Sequence, residues 1–218
     1  MNEVALIFSL SLATTLPFII AGGTCFIKFS IVMSLLRNAL GIQQIPSNLT
    51  LNGLALILTL FVMVPVFKPV VTWLEDNPIN FSESASVQAF VNEGLGAYRV
   101  YLNKYADPGL ISYFSTLLLR HENHDAITQE NQEDAAPSIF ALLPAYTLTE
   151  IKEAFEIGFY IYLPFVIIDL LVSNILLALG MMMMSPVTIS LPIKLILFVS
   201  VDGWSKVVQG VLTKYLEV

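Results

Sequence analysis

The stretch 157–201, IGFYIYLPFVIIDLLVSNILLALGMMMMSPVTISLPIKLILFVSV, decides how the rest of the chain is read. Two apolar runs flank Gly180, four consecutive methionines (Met181, Met182, Met183, Met184) and Ser185-Pro186. The first run is long enough for a helix to cross roughly 30 Å of hydrocarbon and the second is shorter. The stretch therefore reads as a helical hairpin, in a membrane or buried in protein. Asp169 and Lys194 sit inside the two runs. A charge at the centre of a membrane helix costs roughly 2.5 to 3.5 kcal/mol on insertion scales. Each must be paired, hydrated or covered by protein, and the hairpin is expected to be the working part of the molecule.

Hydrophobic residues make up 56% of the 218 and charged residues 12%, with a mean hydropathy of +0.76. A soluble domain carries about a quarter charged residues, so this is the composition of an integral membrane protein. The formal charge of −7 is concentrated in the middle. Between Glu75 and Glu156, thirteen acids face Arg99, Lys104, Arg120 and Lys152, a balance of −9. An acidic segment between apolar ones excludes nucleic acid as a partner, because phosphate binding needs a basic surface. Cys25 is the single cysteine. It excludes an internal disulfide and, among apolar neighbours, reads as a small buried residue.

From Val4 to Ile27 the chain carries no charge. The segment is read as retained: only Glu3 precedes it, with neither a positive n-region nor a convincing cleavage site. Pro17 and Gly22-Gly23 interrupt it, and the apolar pattern runs on past Lys28 to Leu36. The connection Lys28 to Asn48 is short, polar and basic, hence cytoplasmic by the positive-inside rule, with the amino end outside. A second span is expected over Leu49 to Phe67, ending near Pro65, Lys68 and Pro69. Beyond it, Val87, Phe90, Val91, Leu95, Tyr98, Tyr101 and Leu102 recur near a 3.6-residue period and predict a helix over Ser86 to Tyr105. Asp107-Pro108-Gly109 should stop it, Leu110 to Leu119 should form a short helix, and His121 to Asp134 should be a polar loop. The return begins at Ser138, with Thr147 or Thr149 as a candidate helix N-cap. The last apolar run, Val187 to Val201, should break at Pro192, and Trp204 and Tyr215 would suit an interfacial belt. The expected fold is all-α: two hairpins giving about four apolar helices, with a mostly helical extracytoplasmic segment between them. The boundaries drawn are 1–70 for the first hairpin, 71–145 for the acidic segment and 146–218 for the second hairpin.

Catalytic signatures are missing: there is no nucleotide loop, no GxSxG turn and no cysteine cluster. Neither an enzyme nor a cofactor is expected. His121-Glu122-Asn123-His124-Asp125 offers metal-capable side chains, but no further ligands or HExxH spacing accompany them, and the reading is a solvated loop without metal. Asp169 and Lys194 could serve an ion or proton path. The reading favoured instead is an ion pair, within the hairpin or between subunits, that specifies assembly. Four consecutive methionines cannot share one helix face. Met181 to Met184 are as reasonably a compliant seal as core filler.

Several long motifs together resemble the FliP/SctR family, the core export-gate proteins of bacterial type III secretion systems and of the flagellar export apparatus. They are Gly23-Thr24-Cys25-Phe26-Ile27-Lys28-Phe29-Ser30, the run Arg37 to Pro46, Leu142 to Glu156, Leu163 to Leu170, Met181 to Pro186, and Leu191 to Lys194 through Asp202-Gly203-Trp204. The likeness covers nearly the whole chain except the acidic middle from Glu75 to Ala136. The lack of a signal sequence and the compact length resemble the injectisome branch. The resemblance implies a homo-oligomer of five copies in the bacterial inner membrane, joined to S-type and T-type export-gate subunits. It also implies a helical cone, much of it at or above the periplasmic side and enclosed by the secretion basal body, through which unfolded proteins pass. Met181, Met182, Met183 and Met184 match a methionine loop ring that closes the family's channel. Lys194 and Glu150 resemble family charges that pair between neighbouring subunits, and Asp169 sits at a family position important for export. Two other functions stand against the gate: an ion or proton transporter subunit titrating Asp169, and a passive assembly scaffold.

Overall fold

The computed structural model describes residues 3–42, 44–77, 84–122, 137–181 and 183–216 of the 218. Among them the fold is all-α. In order come α1 (Glu3–Gly23), α2 (Phe26–Leu40), α3 (Asn48–Asp76), α4 (Ser84–Ala89), a π-helical turn (Phe90–Gly94), α5 (Gly96–Tyr105), α6 (Pro108–Glu122), α7 (Ile139–Ala178), α8 (Pro186–Ser200) and α9 (Gly203–Leu216). Helices α3 and α7 are each long and apolar enough to cross a membrane. The end of α1 with α2, and α8 with α9, are bent pairs that raise the number of spans to as many as four. The fold class and the approximate number of apolar helices agree with the sequence reading.

Several boundaries differ from expectation, each for a physical reason. Helix α3 does not end at its prolines but runs through Pro65 and Pro69 to Asp76. An interior proline costs about 3 kcal/mol. Burial of Val62, Met63 and Val70, at roughly 1.5 to 3 kcal/mol each, is of comparable size and carries the helix on. Helix α7 likewise starts at Ile139 and passes through both Thr147 and Thr149, so neither caps it. The cap is Ser138, whose hydroxyl accepts from the Phe140 amide and whose carbonyl accepts from Ala141 and Leu142. Pro192 lies inside α8 without ending it. The periodic segment Ser86 to Tyr105 is interrupted by the π turn. There a Cβ on Gly94 would stand 2.7 Å from Phe90 and 2.9 Å from Trp73, so the glycine lets those two rings meet at 5.8 Å.

The chain forms two compact units, one of Met1–Ile27 with Met63–Ile151, the other of Lys28–Val62 with Lys152–Val218. In the first, α5 buries Tyr98, Tyr101, Leu102 and Tyr105, and the Tyr101 ring meets that of Tyr146 on α7 at 5.5 Å. These positions follow the helical period read from the sequence. Helix α1 ends at Gly22-Gly23, where terminal carbonyls have no helical donor. Thr147 Oγ1 lies 2.6 Å from the Gly22 carbonyl and Tyr98 donates to the Gly23 carbonyl at 2.6 Å. A Cβ on Gly23 would collide with the Tyr98 hydroxyl, so this glycine is required by close approach.

In the second unit, Leu36, Ala39 and Leu40 of α2 pack with Phe165 of α7 and Phe198 of α8, and Trp204 and Val207 of α9 lie against them. Gly158 on α7 makes room for Leu35 of α2, which occupies the space a Cβ would take. Arg37 ties down the basic connection, donating to Asn48 Oδ1 at 2.6 Å and to the Pro46 carbonyl at 3.2 Å. The core of this unit holds the roots of the 157–201 hairpin.

Candidate functional site

The methionine turn is fixed at both ends by backbone chemistry. Gly180 has φ +74, and it donates to the Leu177 carbonyl at 3.0 Å while Met181 donates to the Leu176 carbonyl at 2.9 Å. This double bond around a left-handed glycine is the Schellman arrangement, which ends a helix sharply. On the other side, Ser185 is the extended N-cap of α8 and Pro186 opens the helix at a position where a missing N–H is harmless. Between these stops, Met181 and Met184 are exposed and Met183 is entirely so. Gly180, Met181, Met183 and Met184 line an open depression of about 430 Å³. Met182 lies outside the described residues. Flexible, polarizable side chains on a short, firmly anchored turn form a deformable apolar tip.

The two charges of the hairpin meet. Lys194 Nζ lies 2.6 Å from Asp169 Oδ2, and donates also to the Ala39 carbonyl at 3.3 Å. Ala39 is in the last turn of α2, where carbonyls lack helical donors and a cation is favourable. One ammonium therefore joins α2, α7 and α8 beneath the turn. Lys194 is 6% exposed and Asp169 38%. Asp169 Oδ1 is nonetheless shielded and has no hydrogen-bond partner among the described residues.

A second charged cluster escaped the sequence reading. Lys28, 1% exposed, donates to Glu153 Oε2 at 2.6 Å, and the other oxygen of Glu153 accepts from Lys214. Lys28 Nζ also stands 4.7 Å from the centre of the Tyr215 ring. This cluster joins α2, α7 and α9. The available signal was Lys28 inside an apolar helix, which demands a carboxylate somewhere. Glu150, Glu153 and Glu156 were all candidates, and spacing cannot choose among them.

Glu150 is fully buried in the other unit. Near it, Tyr101 and Tyr146 share a hydrogen bond at 2.7 Å. Burial pushes the Tyr101 phenol far above the usual tyrosine range, with Cys25 and Glu150 adding to the effect and the bond to Tyr146 opposing it. Burial raises Tyr98 in the same direction. Cys25 is buried there, as its apolar neighbours suggested. Of the polar run His121 to Asp125, residues 123–125 lie outside the described part. Among the described residues, no group of three or more His, Cys, Asp or Glu stands close enough to hold a metal.

The sequence profile of the FliP family matches residues 7–211. The chain belongs to the FliP family. Its relatives within that family include the surface presentation of antigens protein SpaP of Salmonella typhimurium, 54% identical over 100% of this chain and 98% of its own. The Yop proteins translocation protein R of Yersinia pestis is 48% identical over 98% and 97% of the two chains. The harpin secretion protein HrcR of Erwinia amylovora is 37% identical over 92% and 91%. The FliP match spans the methionine turn, the Lys194–Asp169 pair, Lys28 and Glu153 of the second cluster, and the acidic middle that the motif resemblance did not reach, and it ends before Lys214.

Proposed function

We propose that this chain is a core subunit of the inner-membrane export gate of a type III protein secretion system, forming the protein-conducting channel and its methionine gasket. The observation that carries the reading is the exposed tip of Met181, Met183 and Met184 on a turn whose ends are held by Gly180 and Ser185-Pro186. Names of relatives that speak of Yop translocation and harpin secretion point the same way. The most apolar 18-residue window of α7 is 17% buried within the chain, so most of it needs lipid or protein cover. Further copies of the chain, five in all, together with S-type and T-type gate subunits and the basal body, are the cover this reading supplies. The segment 71–145 then lies on the extracytoplasmic side, with much of the gate at or above the periplasmic face. Within the oligomer Glu150, Asp169 and Lys194 are the intersubunit or functional charges, Lys194 and Glu150 pairing between neighbouring subunits and Asp169 serving export. Unfolded proteins cross by conduction, without covalent chemistry.

The test is ion leakage through the assembled complex after Met181, Met182, Met183 and Met184 are all replaced by alanine. Leakage should rise while the yield of complex is unchanged. Unchanged leakage sinks the gasket role, and lost yield instead of leakage favours a passive scaffold. The shielded Oδ1 of Asp169 motivates the rival reading of an ion or proton transporter subunit. That reading requires Asp169→Asn to abolish ion flux in purified protein whose oligomers stay intact.

A further inference from the structure

The methionine turn lies in a stretch without charge. From Leu170 to Ile193 the sequence holds no Asp, Glu, Lys, Arg, His or Cys, so its sulfur donors are all methionine thioethers. Calcium, magnesium and zinc ask for carboxylate oxygen, imidazole or thiolate, none of which this stretch supplies. A thioether is a soft donor, and soft donors select copper(I). Silver(I), with the same charge and a closed d shell, behaves alike.

The backbone gathers three of these residues. The Met184 amide donates to the Met181 carbonyl at 3.3 Å and closes a reverse turn. The ends of such a turn lie within about 7 Å of each other at Cα. Met181 and Met184 therefore leave neighbouring points of the backbone, with Met183 inside the same turn. All three line one open depression of about 430 Å³. Their unbranched side chains have enough rotatable bonds to bring sulfur onto a shared ion.

The cost of closing on an ion is small. Gly180 at φ +74 stops α7, and Ser185-Pro186 starts α8, so the turn is formed before any ion arrives. Binding then orders side-chain rotamers and little else. The entry path is open, because Met181 and Met184 are exposed and Met183 is entirely so.

We infer that Met181, Met183 and Met184 form a binding site for a soft monovalent cation, copper(I) or silver(I), held by thioether sulfur. The bound ion ties the ends of the turn together and stiffens the tip. This is a property of the single chain and stands whether or not the chain conducts protein. The test is silver(I) uptake by the full chain in lipid nanodiscs, measured by equilibrium dialysis at about pH 5. Histidines are protonated there and do not compete, while a thioether carries no proton to lose. The comparison is a variant with Met181→Leu, Met183→Leu and Met184→Leu, which keeps the apolar volume and removes the sulfur. Cys25 and the remaining methionines are common to both chains and cancel. The unaltered chain should take up about one silver ion more, and each single leucine variant should hold it at least about tenfold more weakly, the smallest loss usual even for groups that only support a ligand. Equal uptake by the two chains overturns the site, and so does displacement of the silver by zinc(II). X-ray absorption of the unaltered chain loaded with copper(I) under reducing conditions does not depend on the variant folding. It should show sulfur neighbours around the metal, and nitrogen or oxygen neighbours in their place overturn the inference.

Discussion

The two compact units solve the same problem with different chemistry. The unit built around α5 buries one carboxylate, Glu150, but meets its backbone groups largely with neutral hydroxyls: Tyr98 on the Gly23 carbonyl, Tyr101 with Tyr146, and Thr149 between the Ala145 carbonyl and the Asp107 amide. The unit built around Phe165 and Phe198 uses ammonium groups on carboxylates, Lys28 with Glu153 and Lys194 with Asp169. A hydrogen bond between neutral groups contributes about 1 kcal/mol net. A buried charge that loses its partner costs about 3 to 5 kcal/mol. Single changes among these hydroxyls should therefore be tolerated, whereas the ionic unit should be sensitive to which partner is removed.

The largest expected effect comes from Glu153→Gln, which removes the carboxylate that buried Lys28 and Lys214 share and should lower stability by about 3 kcal/mol in chemical unfolding of the solubilised protein. Lys28→Met removes the buried cation instead and leaves Glu153 with Lys214, so its cost should be far smaller. Equal losses in the two variants would break the proposed asymmetry. Next is Asp169→Asn, expected to lower stability by about 2 kcal/mol, less than the Glu153 change because Lys194 keeps its bond to the Ala39 carbonyl. A loss as large as that of Glu153→Gln would show that the Ala39 carbonyl gives Lys194 little support.

The hydroxyl unit should respond least. Tyr101→Phe should cost about 1 kcal/mol at neutral pH. Its pH dependence sharpens the contrast, because the folded phenol titrates well above its unfolded value near 10. Below that pH both states keep the proton and stability is unaffected. As pH rises past about 10 only the unfolded state ionises, so stability falls, by up to about 1.4 kcal/mol per pH unit for each such tyrosine. Tyr101→Phe should flatten this alkaline loss. An unchanged slope would show that Tyr101 ionises as easily folded as unfolded.

Legibility in the sequence followed the range of the interactions. Gly180 and Ser185-Pro186 marked the methionine turn because helix stops are chemistry of a few adjacent residues. The period of Tyr98, Tyr101 and Leu102 gave the buried face of α5 for the same reason. Thr147 and Thr149 misled because a threonine before an apolar run resembles an N-cap. In the fold each hydroxyl instead meets a carbonyl one turn back, of Leu143 and Ala145 respectively. Pro65 and Pro69 misled because local propensity was outweighed by burial along α3.

What the sequence by itself determined is the all-α class, the approximate number of apolar helices, the position of the methionine turn, and the need for partners at Asp169 and Lys194. Each follows from hydropathy, period or adjacent stop residues. Tertiary structure alone decided that Lys194 also caps α2, that Lys28 takes Glu153 from among three nearby glutamates, and that Lys214 shares that carboxylate. Those choices depend on which helix faces meet across separations of 155, 125 and 61 residues, and no local rule encodes a meeting of that kind.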